Sequence, residues 1–436
     1  MMSMEGSNDS KPLGLWNVVS IGIGAMVGAG IFALLGQAAL LMETSTWVAF
    51  AFGGIVAMFS GYAYARLGAH YPSNGGIIDF FRRGLGNGIF SLALSLLYLM
   101  TLAVSIAMVA RAFGAYAVQF LHEGSQDEHL VLLYALAIIA LMTLFNSLSN
   151  HAVGRLEVIL VAIKMMILLL LIVAGVWSLQ PAHISLSPAP SSGAFFSCIG
   201  ITFLAYAGFG MMANAADKVN DPAVIMPRAF LVAIGITSLL YIALALVLLN
   251  DVSALELEKY ADTAVAQAAS PLLGHIGYVI VVIGALLATA SAINANLFAV
   301  FNIMDNMDNM DNMGSERELP KVLNKSLWRQ STWGNIIVVA LIMLMTAALN
   351  LGSLASVASA TFLICYLAVF VVAIRLRHDI HASLSILVIG MLVMLLVIIG
   401  FIYSLWSQGS SALMWIIGTL LLSFIVAMVM KRNKTA

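Results

Sequence analysis

Long apolar stretches separated by short polar connections run through the chain from residue 14 to residue 430. Most are about 20 residues or longer, the length a helix needs to cross the hydrocarbon core of a bilayer. The pattern predicts twelve spans, near 14–42, 46–69, 88–121, 130–149, 154–178, 194–217, 227–250, 272–304, 333–350, 353–376, 383–406 and 411–430. The first run, LWNVVSIGIGAMVGAGIFALLGQAALLM at 15–42, carries Gly22, Gly24, Gly28, Gly30 and Gly36. Each glycine costs about 1 kcal/mol relative to alanine inside a helix, so the run is predicted to unwind at its densest point, Gly28-Ala29-Gly30. A break there frees backbone N–H groups, which hydrocarbon tolerates only where protein, water or a ligand supplies partners. Two readings are open for this stretch: glycines that let helices pack closely, or donors that meet a substrate carboxylate.

A weak echo of this run lies at GITFLAYAGFG, residues 200–210, opening the sixth span. If a second half begins there, each half holds five helices, and an odd number inverts the second copy, as in many secondary transporters. Interrupted helices at matching positions then point to a site at the membrane midplane. The half-helix after the first break presents its N-terminus, about +0.5 charge with free N–H donors. The half-helix before the second break presents unpaired carbonyls of residues such as Leu204, Ala205 and Ala207. A zwitterionic α-amino acid satisfies both ends.

Composition restricts the class. The chain is 62% hydrophobic and 9% charged, against about 25% charged in soluble domains, which makes it a polytopic membrane protein. A net charge of -1 without a basic tract gives no sign of a nucleic-acid partner. Cys198 and Cys365 both lie in apolar runs, so neither a disulfide framework nor a metal site is expected. The polar stretch 1–12 lacks the layout of a cleaved signal peptide, and the first span is expected to serve as the insertion signal.

Sixteen of the 19 lysines and arginines fall in alternate connections, Lys259 alone in the other set, and Arg111 and Lys164 inside spans. By the positive-inside rule both termini are cytoplasmic. The triplet repeat MDNMDNMDN at 304–312 reads as replication slippage in a tolerant loop, with a metal or regulatory role for its aspartates as the alternative.

Lys164 sits in EVILVAIKMMILLLLIVAG, about 14 Å along the helix from Arg155 at 1.5 Å per residue. A lysine near the bilayer centre costs about 2.5–3.5 kcal/mol on insertion scales. One reading is a side chain that snorkels to the interface. The other is a titrating cation facing the bundle interior, its proton doing the work of a bound sodium ion and tying the first and eighth helices together. Glu157, two turns earlier, is a candidate for a proton path or for a rim ion pair with Arg155. Arg111 reads as an interface anchor or structural ion-pair partner. Phe209, Met108 and Asn294 are candidates to line a side-chain pocket, or ordinary packing residues. No Asp or Glu sits mid-span near either break, so a neutral amino acid is expected rather than a lysine, arginine or polyamine. A channel would need a continuous polar pore lining, and an enzyme a nucleophile, metal or protease motif; neither is found.

Four segments carry a resemblance: GAMVGAGIF at 24–32, YPSNGG at 71–76, FLAYAGFG at 203–210 and DPAVIMPRA at 221–229. Jointly they make the chain similar to the amino acid–polyamine–organocation (APC) superfamily over essentially its whole length. It most resembles prokaryotic proton-coupled amino-acid permeases of the enterobacterial inner membrane. The resemblance implies an all-α polytopic protein of twelve transmembrane helices with a five-plus-five inverted repeat (the LeuT/APC fold). Helices one and six would be interrupted and two C-terminal helices added. It implies one transmembrane domain over 1–430, with repeats near 13–178 and 193–376, extra helices at 383–430, and cytoplasmic tails at 1–12 and 431–436.

By position, Gly28, Ala29 and Gly30 would meet the substrate carboxylate, and carbonyls of Leu204, Ala205 and Ala207 its amine. Lys164 falls where a proton-coupled subset of the superfamily carries a lysine in place of a sodium site, and its expected neighbours are the Gly24 carbonyl and Ser291. Two departures lie at the cytoplasmic gate: Asp217-Lys218 stands for an acidic pair, and Arg66 for a glutamate.

The expectation is a secondary transporter that imports neutral amino acids with protons by alternating access. The alternatives are an exchanger not driven by the proton gradient, and a polyamine or cationic amino-acid permease. No cofactor and no sodium are expected, the partners being the amino acid and membrane lipid. Whether a small accessory membrane subunit exists stays open.

Overall fold

The computed structural model describes residues 13–73, 75–148, 153–177, 179, 191–248, 254–309, 326–328 and 331–435. The tail 1–12, the last three residues of the MDN repeat, and Lys11, Arg317, Lys321, Lys325 and Arg329 lie outside the described residues, as do the side chains of Arg155 and Glu157.

The chain forms helices α1 (Leu15–Met26), α2 (Ala29–Met42), α3 (Thr46–His70), α4 (Ile77–Leu85), α5 (Ile89–Leu121), α6 (Glu128–Leu148), α7 (Val153–Val176), α8 (Ser192–Tyr206) and α9 (Pro222–Leu248). It continues with α10 (Ala254–Tyr260), α11 (Ala264–Asn309), α12 (Trp333–Ala348), α13 (Leu351–Arg375), α14 (Leu384–Ser407) and α15 (Ala412–Thr435). A small antiparallel ribbon pairs β1 (Ser326–Trp328) with β2 (Ser331–Thr332). Among the described residues, ten helical stretches are long and apolar enough to cross a membrane, with Leu15–Met26 and Trp333–Ala348 as shorter apolar helices. The chain is thus a multi-pass membrane protein.

A helix that is apolar all round belongs in the interior. Helix α5 meets that description and is buried along nearly its whole length, packed by α11, α13, α6 and α15. Helices α14 and α15 instead present Leu392, Leu396, Ile399, Leu421 and Ile425 outward. So large an apolar surface would be untenable in water and marks the lipid-facing side.

Two polar faces cap the bundle. One gathers Arg82, Arg83, Lys218, Arg228, Arg375, Arg377 and Lys431 and is called the basic face below. There the stretch before α1 pairs with the stretch before α9: Leu13 N–H donates to the Lys218 carbonyl (2.8 Å) and Asn220 N–H to that of Leu13 (3.2 Å). The other, acidic face gathers Glu43, Glu123, Glu128, Glu256, Glu258 and Asp262. Its surface is formed partly by α10, a 3₁₀ turn at Ala261–Thr263, and the first residues of α11. Helix α11 is broken at Gly274, with Pro271 just before it and a φ of 67° that favours glycine. The residues ahead of Gly274 start against α2, where Ala264 lies beside Gly36, and the sequence pattern begins the eighth span near the kink, at about 272.

Candidate functional site

The first break falls where the glycine density places it. Helix α1 stops at Met26 and α2 starts at Ala29, with Gly28 at its N-cap and no side chain capping its first turn. Gly28 N–H turns back to the Met26 carbonyl at 2.9 Å. The opening N–H groups of a helix have no partner within it, so α2 directs a cluster of donors and its positive dipole end into the bundle. Gly30 brings this end against α8: a Cβ there would stand 3.1 Å from the Cα and carbonyl oxygen of Ala205.

The second break takes a different form from the one expected. Helix α8 ends at Tyr206 and passes into a 3₁₀ helix over Ala207–Lys218, long for a form that rarely exceeds a few residues. Its path is set by packing on α1, since a Cβ at Gly208 would lie 2.5 Å from the Ala25 carbonyl carbon.

The carbonyls expected to be unpaired are engaged by the protein. Leu204 accepts from Ala207 N–H. Ala205 accepts from the Tyr241 hydroxyl (3.3 Å) and Ala207 from the Tyr366 hydroxyl (2.7 Å). Burial explains the correction, because an orphaned carbonyl there would cost about 1–3 kcal/mol. Tyr241 does more: its hydroxyl lies 2.6 Å from the Met26 carbonyl, so one buried phenol on α9 bridges both broken helices. Tyr116 similarly holds α2 through the Phe32 carbonyl (3.1 Å). The sequence reading missed these tyrosines; their only signal is a hydroxyl in the middle of an apolar helix.

Lys164 points into the bundle. It is 4% exposed, and its Nζ donates to the Gly24 carbonyl at 2.7 Å. A Cβ at Gly28 would stand 3.4 Å from the same Nζ, so the ammonium lies beside the N-terminal end of α2. Gly24 is needed for that approach, because a Cβ there would come within 2.9 Å of Val161 on α7. Ser291 lies on the spanning part of α11 and is partly buried.

A cavity opens between the two breaks. Gly30 and Leu34 of α2, Leu204, Ala205, Ala207 and Gly208 of the sixth span, and Tyr98, Ser105 and Met108 of α5 line it, together with Asn296 of α11 and Phe362 of α13. Its lining is mainly apolar, with Tyr98, Ser105 and Asn296 as polar side chains and no charged one.

Met108 therefore stands at the pocket, and two other candidates do not. Phe209 is fully buried outside the lining, its ring 5.5 Å from Tyr64 and 5.2 Å from Tyr366 in an aromatic cluster. Asn294 turns toward α6, where its Oδ1 accepts from Asn146 Nδ2 at 2.7 Å; Asn296, two residues on, is the one that reaches the cavity. Arg111 lies away from the lining, donating to the Thr346 carbonyl (2.8 Å) and pairing with Glu128 (2.7 Å).

Comparison with known proteins agrees with this architecture. Residues 13–405 match the amino acid permease family. The chain is 90% identical to the inner membrane transport protein YbaT of Escherichia coli (strain K12) over the full length of both. It is 32% identical to the uncharacterized protein MJ0609 of Methanocaldococcus jannaschii, covering 94% of this chain and 93% of that one. Against the branched-chain amino acid permease BcaP of Bacillus subtilis (strain 168) the identity is 24%, over 55% and 54% of the two chains. The chain is thus a membrane transport protein and not an enzyme, and it belongs to the amino acid permease family.

Proposed function

We propose that the protein is a twelve-helix secondary active transporter that carries neutral amino acids together with protons by alternating access. In this reading the repeats run near 13–178 and 193–376, the basic face and both termini are cytoplasmic, and transport is inward. The observation that carries it is the position of Lys164: its ammonium is held by Gly24 on the first broken helix and stands beside Gly28, where α2 offers its free donors.

The substrate carboxylate binds the N–H groups at Gly28, Ala29 and Gly30, that of Gly28 leaving the Met26 carbonyl to do so, drawn by the helix end and by the ammonium together. The amine is received near Leu204, Ala205 and Ala207, whose carbonyls must exchange tyrosine partners for substrate. Proton loss from Lys164 removes the charge that links α7 to α1, so carboxylate binding and protonation favour each other. Sodium has no part in this scheme, and the proton is the coupling ion. The uncharged lining supports a neutral side chain, since a cationic one would be buried without a counter-charge.

Reconstituted protein tests the reading. An imposed proton gradient, acid outside, should drive accumulation of a neutral amino acid without sodium. A thermal-shift screen against the twenty amino acids at several pH values identifies the substrate first, because a ligand of the folded state raises stability by mass action. Counterflow without gradient-driven accumulation would replace symport with exchange.

A further inference from the structure

The acidic face holds a carboxyl group that the scheme above does not use. On α2, Gln37 extends its Nε2 to Asp262 Oδ1 at 2.7 Å. Asp262 belongs to the 3₁₀ turn at Ala261–Thr263, ahead of the membrane-spanning part of α11. Three neighbouring features show that α2 packs tightly around this contact. Gly36 lies so close to the Ala261 carbonyl that a Cβ would collide with it. Ala39 packs with Leu257 and Ala264 in a small buried cluster of its own. A Cβ at Gly352, in the first turn of α13, would stand 2.7 Å from Gln37 Oε1, so Gln37 lies between the turn and α13.

We propose that Asp262 is a second proton-binding site of this transporter, one that takes up a proton as α2 closes against the 261–263 turn on the acidic face. The inference goes beyond the Lys164 reading and needs from it only a face that opens.

The surroundings favour the neutral acid. Helix α2 brings the uncharged Gln37, α5 brings Arg111 and Tyr116, and α6 brings Glu128. Helix α10 carries Glu256, Glu258 and Lys259, which are not among the charges that move the group. The stretch of α11 before His275 carries no ionisable side chain. Arg111 is already committed to Glu128 and the Thr346 carbonyl. Burial first, and the Glu128 carboxylate second, push the Asp262 carboxyl up to about 6, against the opposing pull of Gln37 and Arg111.

Opened to water, the same group returns to about 4. The closed arrangement therefore binds the proton more tightly. Protonation favours closure as pH falls from about 6 toward about 4, and that support is absent above about 6. The neutral acid keeps a carbonyl oxygen to accept from Gln37.

The test needs neither substrate nor gradient, so an error in the substrate class or in the role of Lys164 leaves its outcome unchanged. In the full chain, Cys198→Ala and Cys365→Ala remove the native thiols and Ala39→Cys places a reporter in the buried cluster. Labelling by N-ethylmaleimide in detergent then reads how often α2 leaves the turn. Asp262→Asn, a permanently neutral shape mimic, is compared with Asp262 at the same pH, so thiol ionisation cancels. At pH 7.5 the neutral variant is expected to label at least about tenfold more slowly, one pKa unit being a factor of ten. At pH 5, midway between about 4 and about 6, roughly half of that support is restored, so the ratio of the two rates should be about tenfold smaller than at pH 7.5. Equal rates at pH 7.5, faster labelling of Asp262→Asn, or a slowing of the same size at both pH values overturns the proposal. Should Asp262→Asn not be recovered as folded protein, Asp262→Ser is read by the same criteria.

Discussion

The hydroxyl of Tyr241 lies 2.6 Å from the carbonyl of Met26, the last residue of α1 before the chain unwinds. It also reaches the Ala205 carbonyl at 3.3 Å, so a residue of α9 holds the ends of both interrupted segments. A phenol has one proton to give, and the shorter contact takes most of it. Tyr241→Phe removes one of the two donors to the Met26 carbonyl, leaving it the Gly28 N–H, a change that costs about 0.5–1.5 kcal/mol. The variant should melt earlier than the wild type and transport more slowly. Thermal denaturation with uptake in reconstituted vesicles checks both. An unchanged melting point would mean that the Gly28 N–H alone satisfies the Met26 carbonyl.

Lys164 and Gly24 give the second prediction. Lys164→Ala removes a charge-assisted hydrogen bond worth about 1.5–3 kcal/mol, a factor of roughly 10–150 in an equilibrium between conformations. Gradient-driven uptake should fall by at least about tenfold, while substrate counterflow falls less because it needs no proton. Lys164→Arg keeps the charge but does not release a proton near neutral pH. It should therefore keep stability and still lose the response to the proton gradient. Full gradient dependence in Lys164→Ala vesicles would remove Lys164 from the coupling mechanism.

How much of this was legible beforehand differs from residue to residue. Gly28 and Lys164 stand out in sequence because each breaks a strong local rule: a glycine cluster in a helix, and an ammonium group in an apolar run. Tyr241, Tyr366 and Asp262 break no such rule. A tyrosine in an apolar helix is unexceptional, and the backbone carbonyls it meets carry no side-chain signature. The 3₁₀ path after Tyr206 is equally silent, because it is set by the approach of Gly208 to Ala25 on another helix. Asn294 and Asn296 show the limit of residue type alone. Both are polar and close in sequence, and helical geometry sends one toward α6 and the other to the cavity.

Close backbone approach yields a third prediction. Gly208→Ala would put a Cβ 2.5 Å from the Ala25 carbonyl carbon, where backbone on both sides must move. Overpacking of this kind costs about 1–3 kcal/mol, and here it would separate the two breaks that frame the cavity. Gly418→Ala on α15 meets nothing within 4 Å and serves as the control. Substrate-induced thermal stabilisation should be lost in the first variant and retained in the second.

The last prediction concerns selectivity. Met108 and Ser105 of α5 line the cavity together with Leu204 and Ala205. Met108→Ala deletes apolar volume from the lining without touching the donors of α2. An apolar pocket discriminates by about 1–3 kcal/mol for each methylene gained or lost, so preference should shift toward a bulkier neutral side chain by roughly 10–200-fold in competition. Ser105→Asp should act on charge instead, supplying a carboxylate that the cavity lining lacks and favouring a cationic amino acid. Competition against one labelled neutral substrate reads both changes. If Met108→Ala left the order of competitors untouched, the side-chain pocket would have to lie elsewhere than between α5 and the second break.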